Sequence, residues 1–405
     1  MKGKLVTILA FVLMTGLLIT PMPSWAQKST PTAKTLKIGC SMPLSGPAAQ
    51  WSEVIKPAME IYADLTNEDG GLKIGKDTYK VEMYWADDQY LPEGTSTAVK
   101  KLVFEDKVKF IVGYWGASIP AGDAITGPQK VIFITNGWAE YPIWDATKHP
   151  YTFIATPNFQ MSQALSILDA YPKIKKVGYL SELRAGGEEL AKKIADVFKS
   201  RGVEMEILWW QGNVLDFTTY LAKLNEKGID VLYSGGNMGQ NSLMIKQIYQ
   251  AGYKFKFAQM GMLPNPKAFI EMAGYDAAQG AMQDWEWPPA LKKVKIKPEL
   301  VQMAQRIAER WEKRFGKPME GMSGFGYGVQ HMSLLFDALK QAETIETTKV
   351  QKVLWGGTFD TILGRYTMTG KKSYNGPIAI GYPCAMSKIV GWKQVYAGEH
   401  TYIVP

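Results

Sequence analysis

The chain of 405 residues has two cysteines, Cys40 and Cys384, and three histidines, His149, His331 and His400. No two histidines have the His-x-x-x-His spacing of a helical metal site, and the cysteines are too far apart for Cys-x-x-Cys, so no structural zinc centre can be assembled locally. Two thiols leave open either a disulfide formed in an oxidising compartment or a pair of buried free thiols. Gly-x-Ser-x-Gly and the phosphate-loop Gly-x-x-x-x-Gly-Lys-Ser/Thr are missing, and the interval from Gly39 to Gly46 lacks the Gly-x-Gly-x-x-Gly spacing that lets backbone approach a pyrophosphate. Serine-hydrolase and nucleotide chemistry are disfavoured, and no cofactor is expected. Asp87-Asp88, after a strand-like run, is the one acid pair worth weighing, and a solvated pair at a strand end is the better reading, so no catalytic role is assigned to it. Charge of one sign is not segregated: 46 Lys and Arg against 38 Asp and Glu give a net charge of +8, spread along the chain. The densest cluster, Lys292-Lys293-Val294-Lys295-Ile296-Lys297, reads as a solvated connector, so no nucleic-acid partner is expected. Beyond residue 20 no run is long and apolar enough to span a bilayer.

What is present begins with a leader. Lys2 and Lys4 precede an apolar run over 5–20 that ends in Pro21-Met22-Pro23-Ser24-Trp25-Ala26, with small residues Ser24 and Ala26 ahead of Gln27. That is the pattern of a cleaved secretory signal peptide over 1–26, and it implies export. About 379 residues would remain, enough for two domains with sizeable cores.

The mature part opens with a short apolar run, Leu36 to Cys40, broken by Pro43-Leu44-Ser45-Gly46-Pro47 and followed by Ile55, Met59, Tyr62 and Leu65 at helical spacing. Asn67-Glu68-Asp69-Gly70-Gly71 stops that helix. Strand, corner and helix place a crevice at the strand's C-terminal end, beside Gln50 and Trp51. Further strands are expected at 79–85, 109–113, 131–135, 177–180, 204–209, 231–234 and 255–260. Helices are expected at 94–105, 160–170, 187–200, 217–227, 239–251, 299–315, 324–341 and 349–354. Such alternation predicts an α/β chain with doubly wound parallel sheets. Two alternating blocks, 36–136 and 177–260, are joined by an extended segment at 151–158 that reads as an interdomain crossing. Over 364–395 the turn signals Thr369-Gly370 and Asn375-Gly376 predict β-hairpins.

Aromatic, glycine and amide residues recur just after the predicted strands: Trp51, 113–118 with Trp115, Ala117 and Ser118, 136–139 with Asn136, Gly137 and Trp138, and 234–238 with Asn237. Glycines let a ligand approach backbone N–H groups, Ser118 and the helix start behind it can donate to an anionic oxygen, and indole faces can bury a flat ligand. Arg184, after the strand at 177–180, is either a carboxylate clamp or a surface arginine.

Ile38-Gly39 with Pro43–Pro47, Asn67–Gly71, Phe110-Ile111-Val112-Gly113 and Gly235-Gly236-Asn237-Met238-Gly239-Gln240 together resemble the type I periplasmic solute-binding proteins. The resemblance is specifically to the branched-chain amino-acid (leucine/isoleucine/valine)-binding family of ABC importers, and it runs through nearly the whole mature chain. It implies a non-enzymatic, monomeric receptor that closes two lobes on a small solute and delivers it to a permease in the inner membrane. It also implies three crossings, near Ile154, Trp287 and Phe359, dividing the chain into a first lobe of 36–154 and 288–358 and a second of 155–287 and 359–405. In amino-acid-binding members a hydroxyl residue, a threonine and a second-lobe acid hold the amino acid. Ala117, Ala139 and Gly261 stand at the matching positions, with Ser118 adjacent. Since a buried ammonium without a carboxylate is costly, the expected ligand is aromatic or apolar, with any carboxylate met by backbone N–H groups and Arg184. A binder of ordinary branched-chain amino acids and a soluble ligand sensor are the alternatives, with a secreted enzyme behind them.

Overall fold

The computed structural model describes residues 34–46, 48–112, 119–136, 144–155, 159–183, 186–212, 214–259, 266–285, 287–319 and 325–403. The expected leader, 1–26, lies outside them. Strand β1 (Lys34–Met42) is followed by the helix Ala49–Glu68, in which Ile55, Met59, Tyr62 and Leu65 are buried as their spacing predicts. Gly70 and Gly71, both at positive φ, end it, and Gly71 N–H donates to Thr66 O. Then come β2 (Leu72–Ile74), β3 (Asp77–Asp87), a helix Pro92–Lys100 that loosens into a π turn Lys101–Glu105, β4 (Phe110–Val112), the helix Ile119–Thr126, β5 (Ile132–Thr135) and β6 (Thr152–Ile154).

The chain next enters a second sheet. The helix Phe159–Ala170 leads to β7 (Lys176–Glu182), β8 (Glu204–Trp210), β9 (Val231–Ser234), β10 (Lys256–Gln259) and β11 (Met282–Asp284), with the helices Gly187–Lys199, Thr218–Glu226 and Met238–Gln250 between strands. It returns to the first sheet through the helices Pro298–Phe315 and Gln330–Ala342 and adds β12 (Thr358–Thr361), β13 (Gly364–Thr369) and β14 (Ala379–Ile380). Past Gly381, β15 (Tyr382–Val390) and β16 (Lys393–Tyr402) finish the second sheet.

The first sheet runs β12-β13-β14-β6-β5-β4-β1-β3-β2 and the second β16-β15-β11-β10-β9-β7-β8. Both are parallel at the centre; antiparallel strands stand at both margins of the first sheet and at the β15–β16 margin of the second, whose other edge, β8, is parallel to β7. Every residue of β4, β5 and β9 is buried, as strands covered by helices on both faces require. Two α/β lobes with mostly parallel sheets are therefore present.

One expectation changes. The strands after Phe359 belong to the first sheet, since Ala379 pairs with Ile154 and β13 with β14. The final passage to the second sheet thus falls at Gly381 rather than near Phe359, and 359–380 does not sit with the second sheet. The signals at Thr369-Gly370 and Asn375-Gly376 flank a short helix, Lys371–Tyr374, with Gly370 and Asn375 at positive φ. Both signals thus lie at the connection 370–378 that joins antiparallel β13 and β14, as a hairpin requires, while the tight two-residue turns are at 362–363 and 391–392. Turn chemistry marks where a chain reverses, whereas sheet membership depends on which edge is open to it.

Cys40 and Cys384 are buried free thiols, one in each sheet. Among the described residues no group of three or more potential metal ligands occurs, and no helix is long and apolar enough to cross a membrane.

Candidate functional site

Parallel registers align the strand ends of each sheet. In the first, Ile38, Phe110 and Ile132 share a row, which puts Met42 and Asn136 level at the C-terminal edge, where α/β sheets bind ligands. The corner after Met42 is held by Asp87. Its Oδ1 accepts from Leu44 N–H at 2.9 Å, Gln89 N–H at 3.0 Å and Ser45 N–H at 3.3 Å, and its Oδ2 from the Ser45 hydroxyl at 2.5 Å. Burial opposes ionisation of Asp87, yet these bonds outweigh it and keep its pKa below the ordinary carboxylate value. Asp88 faces inward and accepts from the Ser41 hydroxyl and Tyr90 N–H, both at 2.9 Å, while burial pushes its pKa up to about 6. The pair is thus fastened to the corner rather than solvated, and neither carboxylate is left for a ligand ammonium.

Behind that corner the Ser52 hydroxyl donates to Pro43 O at 2.5 Å, which fixes the first turn of the helix bearing Trp51. Trp51 is half-buried and packs on the core. Gln50 is the second residue of the same helix, and its side chain lies outside the described part. Asn136, fully buried at the end of β5, has no partner for Oδ1 or Nδ2 among the described residues.

In the second sheet Leu180, Ser234, Gln259, Gln283 and Ser387 share a row that holds the last residues of β9 and β10 and the next-to-last of β11. Ser234 Oγ donates to Asn241 Oδ1 at 2.6 Å, and Asn241 Nδ2 donates to Gly236 O at 2.7 Å, so the glycine loop is braced from beneath. Asn237 is exposed and caps the helix Met238–Gln250. Its Oδ1 accepts from Gln240 N–H at 3.0 Å while Gln240 Oε1 accepts from Asn237 N–H at 3.0 Å, a reciprocal capping box. Asp284 ends β11, fully buried, with neither carboxylate oxygen partnered among the described residues, and burial pushes its pKa up to about 7.

Of the residues singled out from sequence, the structure places Gln50, Trp51 and Asn136 at the first-sheet rim and Asn237 at the second. Trp115, Ala117, Ser118, Gly137, Trp138, Ala139, Arg184 and Gly261 lie outside the described residues. Sequence reasoning missed Asp284, Gln160 and Gln163. The signal was available as a carboxylate closing the apolar segment Ala281-Met282, but no strand was expected there.

The family profile described as "Periplasmic binding protein" matches residues 35–378. A Leu/Ile/Val-binding protein homolog 2 of Brucella abortus is 26% identical over 347 residues, covering 83% of this chain and 86% of its own. A leucine-binding protein from Thermotoga maritima superposes with a TM-score of 0.70 at 16% identity, over 92% of this chain and 99% of that one. A solute-binding protein of an ABC transporter from R. palustris, solved with benzoate, superposes with a TM-score of 0.69 at 18% identity, over 91% and 97%. With its two doubly wound sheets and polar strand-end rims, the chain belongs to the periplasmic binding protein family.

Proposed function

We propose that this chain is the periplasmic receptor of an ABC importer, capturing an aromatic or otherwise apolar carboxylate between its lobes and handing it to an inner-membrane permease without chemical turnover. The observation that carries the reading is Asn136. A buried carboxamide with two unpartnered atoms at the centre of the first-sheet rim destabilises the protein by about 1–3 kcal/mol per unmatched group until something polar meets it. It is neutral, and the nearby carboxylates Asp87 and Asp88 are engaged by the corner, so this rim suits a carbonyl or carboxylate better than an ammonium. The half-buried indole of Trp51 supplies an apolar wall. The benzoate found in the R. palustris relative supports the same ligand class.

Trp115, Ala117, Ser118, Gly137, Trp138, Arg184 and Gly261 complete the proposed site through the loops that carry them, with Arg184 clamping the carboxylate. Export follows from the leader at 1–26, and the receptor acts as a monomer. Binding favours lobe closure because the closed state contacts the ligand from both sides. A thermal-shift screen of the mature protein tests the reading: benzoate and related aromatic acids raise the melting temperature, and leucine, isoleucine and valine do not. The reverse pattern overturns it. Trp51→Ala, folded to the same secondary structure, should bind the best aromatic acid at least about tenfold more weakly.

A further inference from the structure

Asp284 stands one residue beyond the row Ser234, Gln259, Gln283, at the C-terminal ends of the parallel strands of the second sheet. Its face of the sheet is covered by the helix Phe159–Ala170: Met282, two residues earlier on that face, and Tyr233 on β9 share a core with Met161, Ala164 and Leu168. The Tyr233 hydroxyl donates to Gln163 Oε1 at 2.5 Å and lies near Gln160 O at 3.4 Å, and it feels the charge of Asp284. Asp284 is 2% exposed, and Gln160 and Gln163 are 0% exposed. Both oxygens of Asp284, both polar atoms of Gln160 and Nε2 of Gln163 have no hydrogen-bond partner among the described residues. Among the described residues no cation pairs with Asp284.

Unmatched buried groups of this kind destabilise a fold, a carboxyl most of all, so apolar residues would make a more stable core. Five such atoms from three side chains, two of them on the first turns of the helix that covers this face and one at the end of β11 on the same face, linked through Tyr233, are what a polar guest would satisfy. The three side chains offer acceptors on Asp284 and N–H donors on both glutamines, which is the complement of a hydroxyl that both donates and accepts. An ammonium fits less well, because pairing it here would desolvate a second charge.

We propose that Asp284, Gln160 and Gln163 are the second lobe's reading site for a hydroxyl on the ligand, so that the preferred cargo is a hydroxylated aromatic carboxylate. The assignment rests on the cargo class proposed above and specifies it. The phenolic O–H donates to Asp284 and its oxygen accepts from a glutamine N–H, with no proton transferred.

Isothermal titration of the mature protein with two matched pairs tests it: 4-hydroxybenzoate against benzoate, and leucine against 4-methylpentanoate. Wild type should bind 4-hydroxybenzoate about 10- to 100-fold more tightly than benzoate, and Asp284→Asn, shown to be folded by its circular dichroism, should bring that ratio to within threefold. Gln163→Leu should lower the same ratio. An unchanged ratio in both variants overturns the assignment and makes the cluster a hydrated structural feature. Tighter binding of leucine than of 4-methylpentanoate, lost in Asp284→Asn, would overturn the aromatic cargo and the hydroxyl assignment while leaving Asp284 as a ligand contact. No binding by either pair up to millimolar concentration overturns both proposals.

Discussion

Asp87 and Asp88 are adjacent, carry the same charge and are displaced in opposite directions. Asp87 is encircled by three N–H groups and a hydroxyl, which favour its ionised form, whereas Asp88 points into the protein, where burial favours the neutral one. Asp87→Ala leaves the corner donors unmatched and should lower stability by about 1–3 kcal/mol, read as a fall in the urea midpoint at unchanged slope. Asp284 follows the rule of Asp88 more strongly. With its folded-state pKa raised from 3.8 to about 7, the folded protein binds more protons than the unfolded chain between those values. The contribution of Asp284 is therefore fully present below about pH 4 and is lost as pH rises through 7. Asp284→Asn, which stays neutral, should be more stable than wild type at pH 8 and lose that advantage by pH 4. Urea midpoints at the two pH values check this, and a gap that does not change with pH would show that Asp284 ionises alike in both states.

Among the elements, the π turn Phe325–Val329 and the helix Ala49–Glu68 show how tightly the first lobe is assembled. A Cβ on Gly328 would stand 2.6 Å from Ile55 Cγ2 and 2.7 Å from Met59 Cγ and Sδ, well inside contact distance. Gly328→Ala should force turn and helix apart, destabilise the fold by about 1–3 kcal/mol and lower the melting temperature, with Met59→Ala in the same chain restoring part of the loss. A melting temperature equal to wild type would mean that the two elements do not approach this closely. This contact was not legible in the sequence, where Gly328 is one of several glycines, while the helix it presses on was legible because Ile55, Met59, Tyr62 and Leu65 repeat at the helical period. Periodicity encodes what a segment is and which face it buries. The order of strands across a sheet, the position of the last passage at Gly381 and the burial of Asp284 depend on pairings far apart in the chain. Asn136 was legible as a rim residue because it directly follows the strand at 131–135, whereas Asp284 closes a three-residue strand too short to show any period.

For the whole molecule, the two thiols form a natural pair of reporters. Cys40 is 1% exposed within β1 of the first sheet and Cys384 is 0% exposed within β15 of the second, so a thiol reagent reaches each only when its own lobe opens. Without ligand, the two labelling rates under native conditions measure the opening free energy of each lobe separately. A ligand gripped by both lobes must dissociate before either opens, and at 100 times Kd it adds about 2.7 kcal/mol to both openings. Both rates should therefore fall about 100-fold at saturating aromatic carboxylate, provided that opening and reclosing are fast relative to labelling. If the cargo were held by the first lobe alone, through Asn136 and the Trp51 wall, Cys40 would be protected and Cys384 would label at its unliganded rate. Asp284→Asn adds an internal comparison, because removing a second-lobe contact should weaken the protection of Cys384 by 4-hydroxybenzoate while leaving its protection by benzoate nearly as in wild type. Equal protection of both thiols by both acids in that variant would mean that the second lobe closes on the ring rather than on its hydroxyl.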